Sequence, residues 1–250
     1  MTRDPRRAAK ADNSEAISGG ALDRALKLLD AFDTDERAIG LAALAERSQL
    51  PKSTLLRLIG TLLARGFLRM LPDGRYQLGP AVLRLAAVYQ RTFHPEDVIR
   101  PVLENLVELS GESASLNVRE GDAQVCLYRV DSPHALRDHV RVGQSFPLDV
   151  GCAALVIRAF SGESGARWEP IRIRVVVATH GERFPGTSGI AVPLFGMSQA
   201  LVGAMVLSGP TTRFSKVAVA RMERALLSAG ARLTSELGGN PIVYAHAGPR

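Results

Sequence analysis

Between Arg47 and Arg75 the chain carries Arg47, Lys52, Arg57, Arg65, Arg69 and Arg75, opposed only by Asp73. A local basic excess of this kind is the electrostatic footprint of a polyanion-binding face. Inside it, Pro51-Lys52-Ser53-Thr54 has the make-up of a first helical turn, whose unsatisfied N–H groups and positive dipole end favour phosphate. Ser53 and Thr54 suit phosphate or base edges, and Lys52 suits a phosphate. Arg57, one turn later, suits bidentate contact with a guanine. Arg69 and Arg75 are placed to flank a minor groove or the adjacent backbone.

These side chains need a scaffold, and the flanking sequence supplies one. Leu22, Leu26, Leu29 and Phe32, with Ala25, recur at helical spacing and predict a first helix with that stripe buried, ended by Asp33-Thr34-Asp35-Glu36. Leu41, Leu44 and Ala45 give the apolar face of a short second helix over Ile39 to Arg47, and Ser48-Gln49-Leu50 makes a tight turn. Pro51 opens a third helix, where its fixed φ is harmless. Leu55, Leu58, Ile59 and Leu62 form its buried stripe, with Lys52, Ser53, Arg57, Gly60 and Ala64 facing solvent. Gly66 stands where a C-terminal cap is expected. Two short runs around Leu71-Pro72-Asp73-Gly74 read as a β-hairpin. Three helices and a hairpin make a winged helix-turn-helix over residues 20–79, and the order of these signals is more specific than any one of them.

A linker helix at 80–94 follows, with Val82, Leu85, Ala86 and Tyr89 on one face. The second domain spans 95–238. It is predicted to hold an amphipathic helix at Val98 to Leu109 and strands at Ala114 to Arg119, Gln124 to Val130 and near Asp138 to Val142. A short helix at Cys152 to Phe160 precedes a loop at Ser161 to Gly165. Strands at Ile173 to Thr179, Gly189 to Phe195 and Leu201 to Leu207 lead to a long helix at Ser215 to Leu237. Helices flanking a mostly antiparallel sheet make this half an α+β module. Residues 1–19 and 239–250 read as polar tails, the first disordered by composition.

Other candidate chemistry is sparse. Cys126 and Cys152 lie in apolar settings, with no zinc spacing and no disulfide framework. Cys152 begins a helix, which lowers a thiol pKa, so a redox role is an alternative for it. His134, Asp138 and His139 sit in a segment read as loop and strand, where solvation of a loop is the expected role rather than metal binding. There is no nucleophile–base pair, so no enzyme is expected, and no metal or cofactor. The net charge of +6 suits a polyanionic partner, but would equally suit a membrane surface or none in particular, and its placement matters more than its total. No run has the length of a membrane span and no secretory signal opens the chain, which makes the cytoplasm the expected compartment. The Asp149-Val150-Gly151-Cys152-Ala153 stretch, entering a helix, offers N–H groups to a carboxylate.

Ala21 to Leu29, Leu50-Pro51-Lys52-Ser53-Thr54 with Arg57-Leu58, Gly66-Phe67 and Tyr76-Gln77-Leu78-Gly79 together resemble the IclR family of bacterial transcription regulators. The likeness continues through Asn117-Val118, Arg141-Val142-Gly143, Phe146-Pro147-Leu148, Gly181-Glu182-Arg183, Gly186 to Pro193 and Ser208-Gly209-Pro210. The resemblance implies homodimers, often paired into tetramers, on palindromic double-stranded operators. It also implies a GAF-like C-terminal domain that takes a small carboxylate or aromatic acid as effector, with contacts at Leu148, Cys152, Ala153, Thr179, Gly189 and Ser208. Thr179 and Gly189 stand where several members have a carboxylate and a cysteine or other small residue, implying a less polar pocket. The chain is also shorter than the family between Phe160 and Ile171. That leaves two expectations open: an effector-responsive regulator, or the same DNA-binding protein with a C-terminal half that only dimerises.

Overall fold

The computed structural model describes residues 20–32, 36–245 and 247, with backbone alone at Gln90. The expected tail at 1–19 and the Asp33-Thr34-Asp35 stop lie outside the described residues. The chain divides at Phe93 and His94 into two compact units.

The first unit runs α1 (Ala21–Asp30), α2 (Leu41–Ser48), α3 (Lys52–Ala64), β1 (Leu68–Met70), β2 (Tyr76–Leu78) and α4 (Pro80–Thr92). Leu55, Leu58, Ile59 and Leu62 of α3 are buried against Leu28, Ile39, Leu44, Leu68 and Tyr76. Burial of each large side chain stabilises by about 1.5–3 kcal/mol, so this stripe fixes which side of α3 is left outside. The turn before α3 is sharp because Gln49 takes a left-handed conformation (φ 54°) and ends α2. Antiparallel β1 and β2 are extended by Ile39, whose N–H donates to the Tyr76 carbonyl and whose carbonyl accepts from the Tyr76 N–H, both at 2.8 Å. This strap ties the hairpin back to the start of α2.

The stripe of α1 departs from the sequence expectation at its N-terminal end. Leu28 is fully buried, whereas Leu22 and Leu26 are 73% and 52% exposed. The core takes Ala25, Leu29 and Phe32 as expected, and Leu28 and Ala31 in place of Leu22 and Leu26. On α4, Ala81 is buried while Leu83, Leu85, Val88 and Tyr89 are exposed.

The second unit contains α5 (Pro95–Ser110), β3 (Ser113–Glu120), β4 (Ala123–Val130), β5 (Ser145–Pro147), α6 (Cys152–Phe160), α7 (Glu169–Arg174), β6 (Val177–His180), β7 (Thr187–Phe195), β8 (Leu201–Pro210) and α8 (Lys216–Glu236). The strands form one antiparallel sheet in the order β5-β4-β3-β8-β7-β6. Strand residues alternate between faces. Ala191, Ala204 and Val206 pack with Cys152, Ala153, Val156 and Ile157 of α6. Ile190, Val192 and Leu194 point the other way and are fully buried too, and α8 packs along β7. Both faces of the central strands are therefore covered, which accounts for their near-continuous apolar sequence.

Three expectations are corrected here. No strand forms at Asp138 to Val142; pairing with β4 begins only where the Gly143 N–H donates to the Cys126 carbonyl, and the strand lies at Ser145–Pro147. The run Ile173 to Thr179 is helix first and strand afterwards. Pro170 sits in the first turn of α7, and Arg172 donates through Nε to the Ala159 carbonyl at 2.7 Å and through Nη2 to that of Glu163, holding the turn closed. Residues after Gly239 are not simply a tail. Pro241–Tyr244 form a 3-10 turn whose buried Tyr244 hydroxyl donates to the Pro193 carbonyl and meets Thr234 Oγ1 at 3.1 Å. Gly230 makes this possible, since a Cβ there would stand 2.9 Å from the ring.

One ion pair is fully inside this unit. Arg129 of β4 donates from Nη2 to Asp138 Oδ1 at 2.8 Å, and Ser208 of β8 donates to Oδ2 at 2.8 Å. The two charged side chains are 4% and 2% exposed. Burial alone would raise the Asp138 pKa; the Arg129 hydrogen bond and charge, with Ser208 and Arg183, outweigh it and hold the carboxyl below its usual range.

Two tests follow from this packing. Gly230→Ala should expel the Tyr244 ring and cost roughly 1–3 kcal/mol, read as a lower urea midpoint; an unchanged midpoint would remove the clasp from the fold. Asp138→Asn leaves a buried guanidinium without its counter-charge and should cost about 3–5 kcal/mol at neutral pH. Because the folded pKa is depressed, that advantage is present above the unfolded value of about 3.9 and lost as pH falls through the folded value. The stability gap between wild type and Asp138→Asn should narrow in acid, and a gap constant down to acid pH would contradict the pairing.

Candidate DNA-binding face and sensor pocket

Helix α3 presents Lys52, Ser53 and Arg57 fully to solvent, with Thr54 half-buried at its first turn. Neither Lys52 nor Arg57 has an ionic or hydrogen-bonding side-chain partner among the described residues. Their surroundings therefore leave both charges available to a polyanion. Leu56, 46% exposed, lies beside Arg57. Sequence reasoning missed it, since an apolar residue in a helix is assigned to the core; on a groove-facing surface it would meet a thymine methyl.

The hairpin arginines differ from each other. Arg69 has no such partner among the described residues, while Arg75 is bent back onto Asp73 through Nε and Nη2, both at 2.8 Å. The Asp73 carboxyl is lowered by this hydrogen bond. Arg47, counted in the basic excess, pairs with Glu36 and also reaches the Ala31 carbonyl. The net positive charge thus concentrates on Lys52, Arg57, Arg65 and Arg69 rather than spreading evenly over the segment.

In the second unit the strand register makes a row. Thr179 of β6 is opposite Gly189 of β7, which is opposite Ser208 of β8, and α6 crosses this end of the sheet. The row and the start of α6 enclose a pocket lined by Gln124, Asp138, Gly151, Cys152, Ala153, Thr179, Arg183, Ser188, Gly189 and Ser208, among others. Of the six expected contact residues, Cys152, Ala153, Thr179, Gly189 and Ser208 are brought together there. Leu148 is not at the wall; it is buried in the apolar cluster behind α6. Gly189 has a physical reason to be glycine: a Cβ would stand 2.8 Å from Cys152 Sγ.

The pocket's polarity comes from residues that the sequence reading did not assign to it. Asp138, expected to solvate a loop, is one of them, since Arg129 and Ser208 draw it inside. Gln124 is fully buried because its amide donates to the carbonyls of Pro147 and Val150 at 3.1 Å each. In an alternating strand it reads as an outward polar residue, so no sequence signal marked it. The Arg183 guanidinium stacks on Phe146 at 4.5 Å and lies 4.0 Å from Asp138. The space among these groups is only about 30 Å3. Pockets for small molecules span roughly 300–1,000 Å3, so a ligand requires the wall to rearrange.

Cys152 is not an activated thiol. Burial pushes it up to about 11, against the opposing pull of Arg183, the Thr179 hydroxyl and the amides of Cys152 and Ala153. The helix start is present, but desolvation outweighs it. Among the described residues no group of three or more His, Cys, Asp or Glu is placed to hold a metal, and no helix is long and apolar enough to cross a membrane.

Comparison with known proteins agrees with both halves. Residues 21–72 match the IclR helix-turn-helix domain, and residues 93–169 match the bacterial transcriptional regulator IclR C-terminal domain. The chain is 28% identical over 247 residues to the HTH-type transcriptional regulator BhcR of Paracoccus denitrificans, covering 87% of this chain and 88% of that one. It is 23% identical to the regulator KdgR of Escherichia coli, covering 82% and 88%. The crystal structure of an IclR transcriptional regulator from Silicibacter sp. superposes with a TM-score of 0.78 at 26% identity, covering 88% of this chain and 96% of that one. Pseudomonas aeruginosa HmgR gives 0.72 at 22% over 88% and 98%, a likeness of fold. These relatives are regulators rather than enzymes. With its helix-turn-helix, its antiparallel sheet flanked by helices and matches to both halves of one family, the chain belongs to the IclR family of DNA-binding bacterial transcription regulators.

Proposed function

We propose that this regulator reads a specific operator through α3 and that a small acid bound in the second unit alters its hold on that operator. The observation that carries the DNA half is the solvent face of α3, where Lys52, Ser53 and Arg57 stand outside a helix pinned from behind by Leu55, Leu58, Ile59 and Leu62. Lys52 and the first-turn amides hold phosphate, Arg57 reads a base edge, and Leu56 adds an apolar contact. Arg69 takes the backbone or minor groove beside the wing, and Arg75 contributes less because Asp73 already neutralises it. The acting species is a cytoplasmic homodimer or pair of dimers on a palindrome. The relatives BhcR and KdgR, named as regulators of the HTH type, support the regulatory reading.

The acid-binding half is supported by the convergence of the α6 amides, Arg183 and Gln124 on one pocket. Anions are favoured where a helix start and a guanidinium meet. A second reading, in which this unit only dimerises, is favoured by the small space of the pocket. Arg183 answers it in part, since its guanidinium, stacked on Phe146 and 22% exposed, lines that pocket as a cation an acid would meet.

Footprinting of the DNA flanking its own gene supplies the operator fragment for the tests. On that fragment Arg57→Ala should weaken binding by about 1–3 kcal/mol and relax preference at one base position. Lys52→Ala should weaken all sequences alike and reduce the slope of log affinity against log salt by about 1; Arg75→Ala should reduce it less than Arg69→Ala. Equal affinity of wild type and Arg57→Ala would remove α3 from the groove. A panel of small carboxylic and aromatic acids should contain one that raises the melting temperature of wild type by mass action and changes its operator affinity, with both effects weakened in Arg183→Ala. No response to any acid would favour the dimerising reading.

A further inference from the structure

The pocket wall holds one polar atom whose chemistry is left incomplete. Gln124 is fully buried, and its Nε2 is committed to two carbonyls, Pro147 and Val150, which fixes the orientation of the amide. Its Oε1 has no hydrogen-bond partner. A buried acceptor left without a donor is costly, and such groups are satisfied when the missing donor arrives. Of the other oxygens around the cavity, the Glu182 carboxylate is exposed, while the buried ones are engaged. Asp138 accepts from Arg129 and Ser208, and the Ser188 hydroxyl donates to Thr211 Oγ1 at 2.9 Å. Thr179 is turned to the Cys152 thiol.

The donors left for a ligand are of one kind. Arg183 lines the same pocket, as do Cys152 and Ala153 in the first turn of α6. That combination takes an anionic group at the Arg183 and α6 side and a neutral donor at Gln124. An oxo group would set oxygen against Oε1. An ammonium would face a neutral amide at Oε1 and would share the pocket with the Arg183 charge. A hydroxyl satisfies Oε1 with no such conflict. With a space of only about 30 Å3, the shortest chains demand the least rearrangement of the wall.

We infer that the effector is a short hydroxycarboxylate, its carboxylate held by Arg183 and the first amides of α6 and its hydroxyl donating to Gln124 Oε1. This rests on the acid-sensing reading above and narrows its ligand class. Titration calorimetry on the full chain, with glycolate and both lactates set against acetate, propionate, pyruvate and alanine, tests it. One of the hydroxy acids should bind about tenfold tighter than its unsubstituted partner, and tighter than pyruvate or alanine. Gln124→Met should bring that hydroxy acid down to the level of the unsubstituted acid without changing the latter. Arg183→Ala should weaken both while preserving their ratio, and this arm keeps the test sharp if Gln124→Met does not fold. Equal binding of lactate and propionate, or tighter pyruvate, overturns the hydroxyl assignment and leaves acid sensing intact. Absence of binding by every acid, with operator affinity unchanged, overturns both.

Discussion

A carboxylate removed from water must be met by donors from every side, and Asp138 obtains them from parts of the chain far apart in sequence. Arg129 reaches it from β4, Ser208 from β8, and Arg183 from the connection between β6 and β7. The segment between β4 and β5 has little regular backbone pairing of its own; this carboxylate pins it, together with Arg213 on the Leu136 carbonyl and the Ser132 hydroxyl on the Gly111 carbonyl. Breaking such a pair costs more than the pair contributes over an apolar substitute, because the partner left behind stays buried and charged. The arrangement therefore specifies a conformation more than it adds stability. It also helps to set the wall of the pocket, since Asp138 lines it together with two of its partners, Ser208 and Arg183.

The two units rely on different forces. The first is held by leucine and isoleucine packing, and its ion pairs are at the surface, where Asp23 with Lys27 and Asp73 with Arg75 are worth little. Its charge is consequently available for an external partner and sensitive to salt. The second unit also buries one ion pair, Arg129 with Asp138, which is shielded from salt and acts on neighbouring residues instead. A DNA-binding face and a ligand pocket place opposite demands on charge, and the division at Phe93 lets each be met without compromise.

How much of this was legible follows from the kind of signal each element carries. The α3 stripe of Leu55, Leu58, Ile59 and Leu62, the hairpin and most strands announce themselves by period and turn residues. The α1 stripe departs from expectation at its N-terminal end because leucines at 22, 26, 28 and 29 fit more than one face, and only the packing of Leu28 against α2 and α3 chooses between them. Ile173 to Val177 has the β-branched content of a strand, and its helical first half is imposed by Arg172 reaching back to Ala159, a contact no local pattern encodes. The sheet register gathered five of the six expected pocket positions, but Gln124, Asp138 and Arg183 were invisible as wall residues. Their roles depend on which oxygen or cation lies across from them, and that is a property of the folded chain.

The glycine at position 189 gives the Cys152 sulfur a place to sit against the sheet, and the residue is only 6% exposed. A thiol so buried reacts with an alkylating reagent only while that packing is breached. Its labelling rate therefore clocks how often the cavity opens, and any small molecule that keeps the cavity closed over itself slows that clock. The protein thus carries a native chemical reporter of its own breathing, with no dye or engineered residue needed.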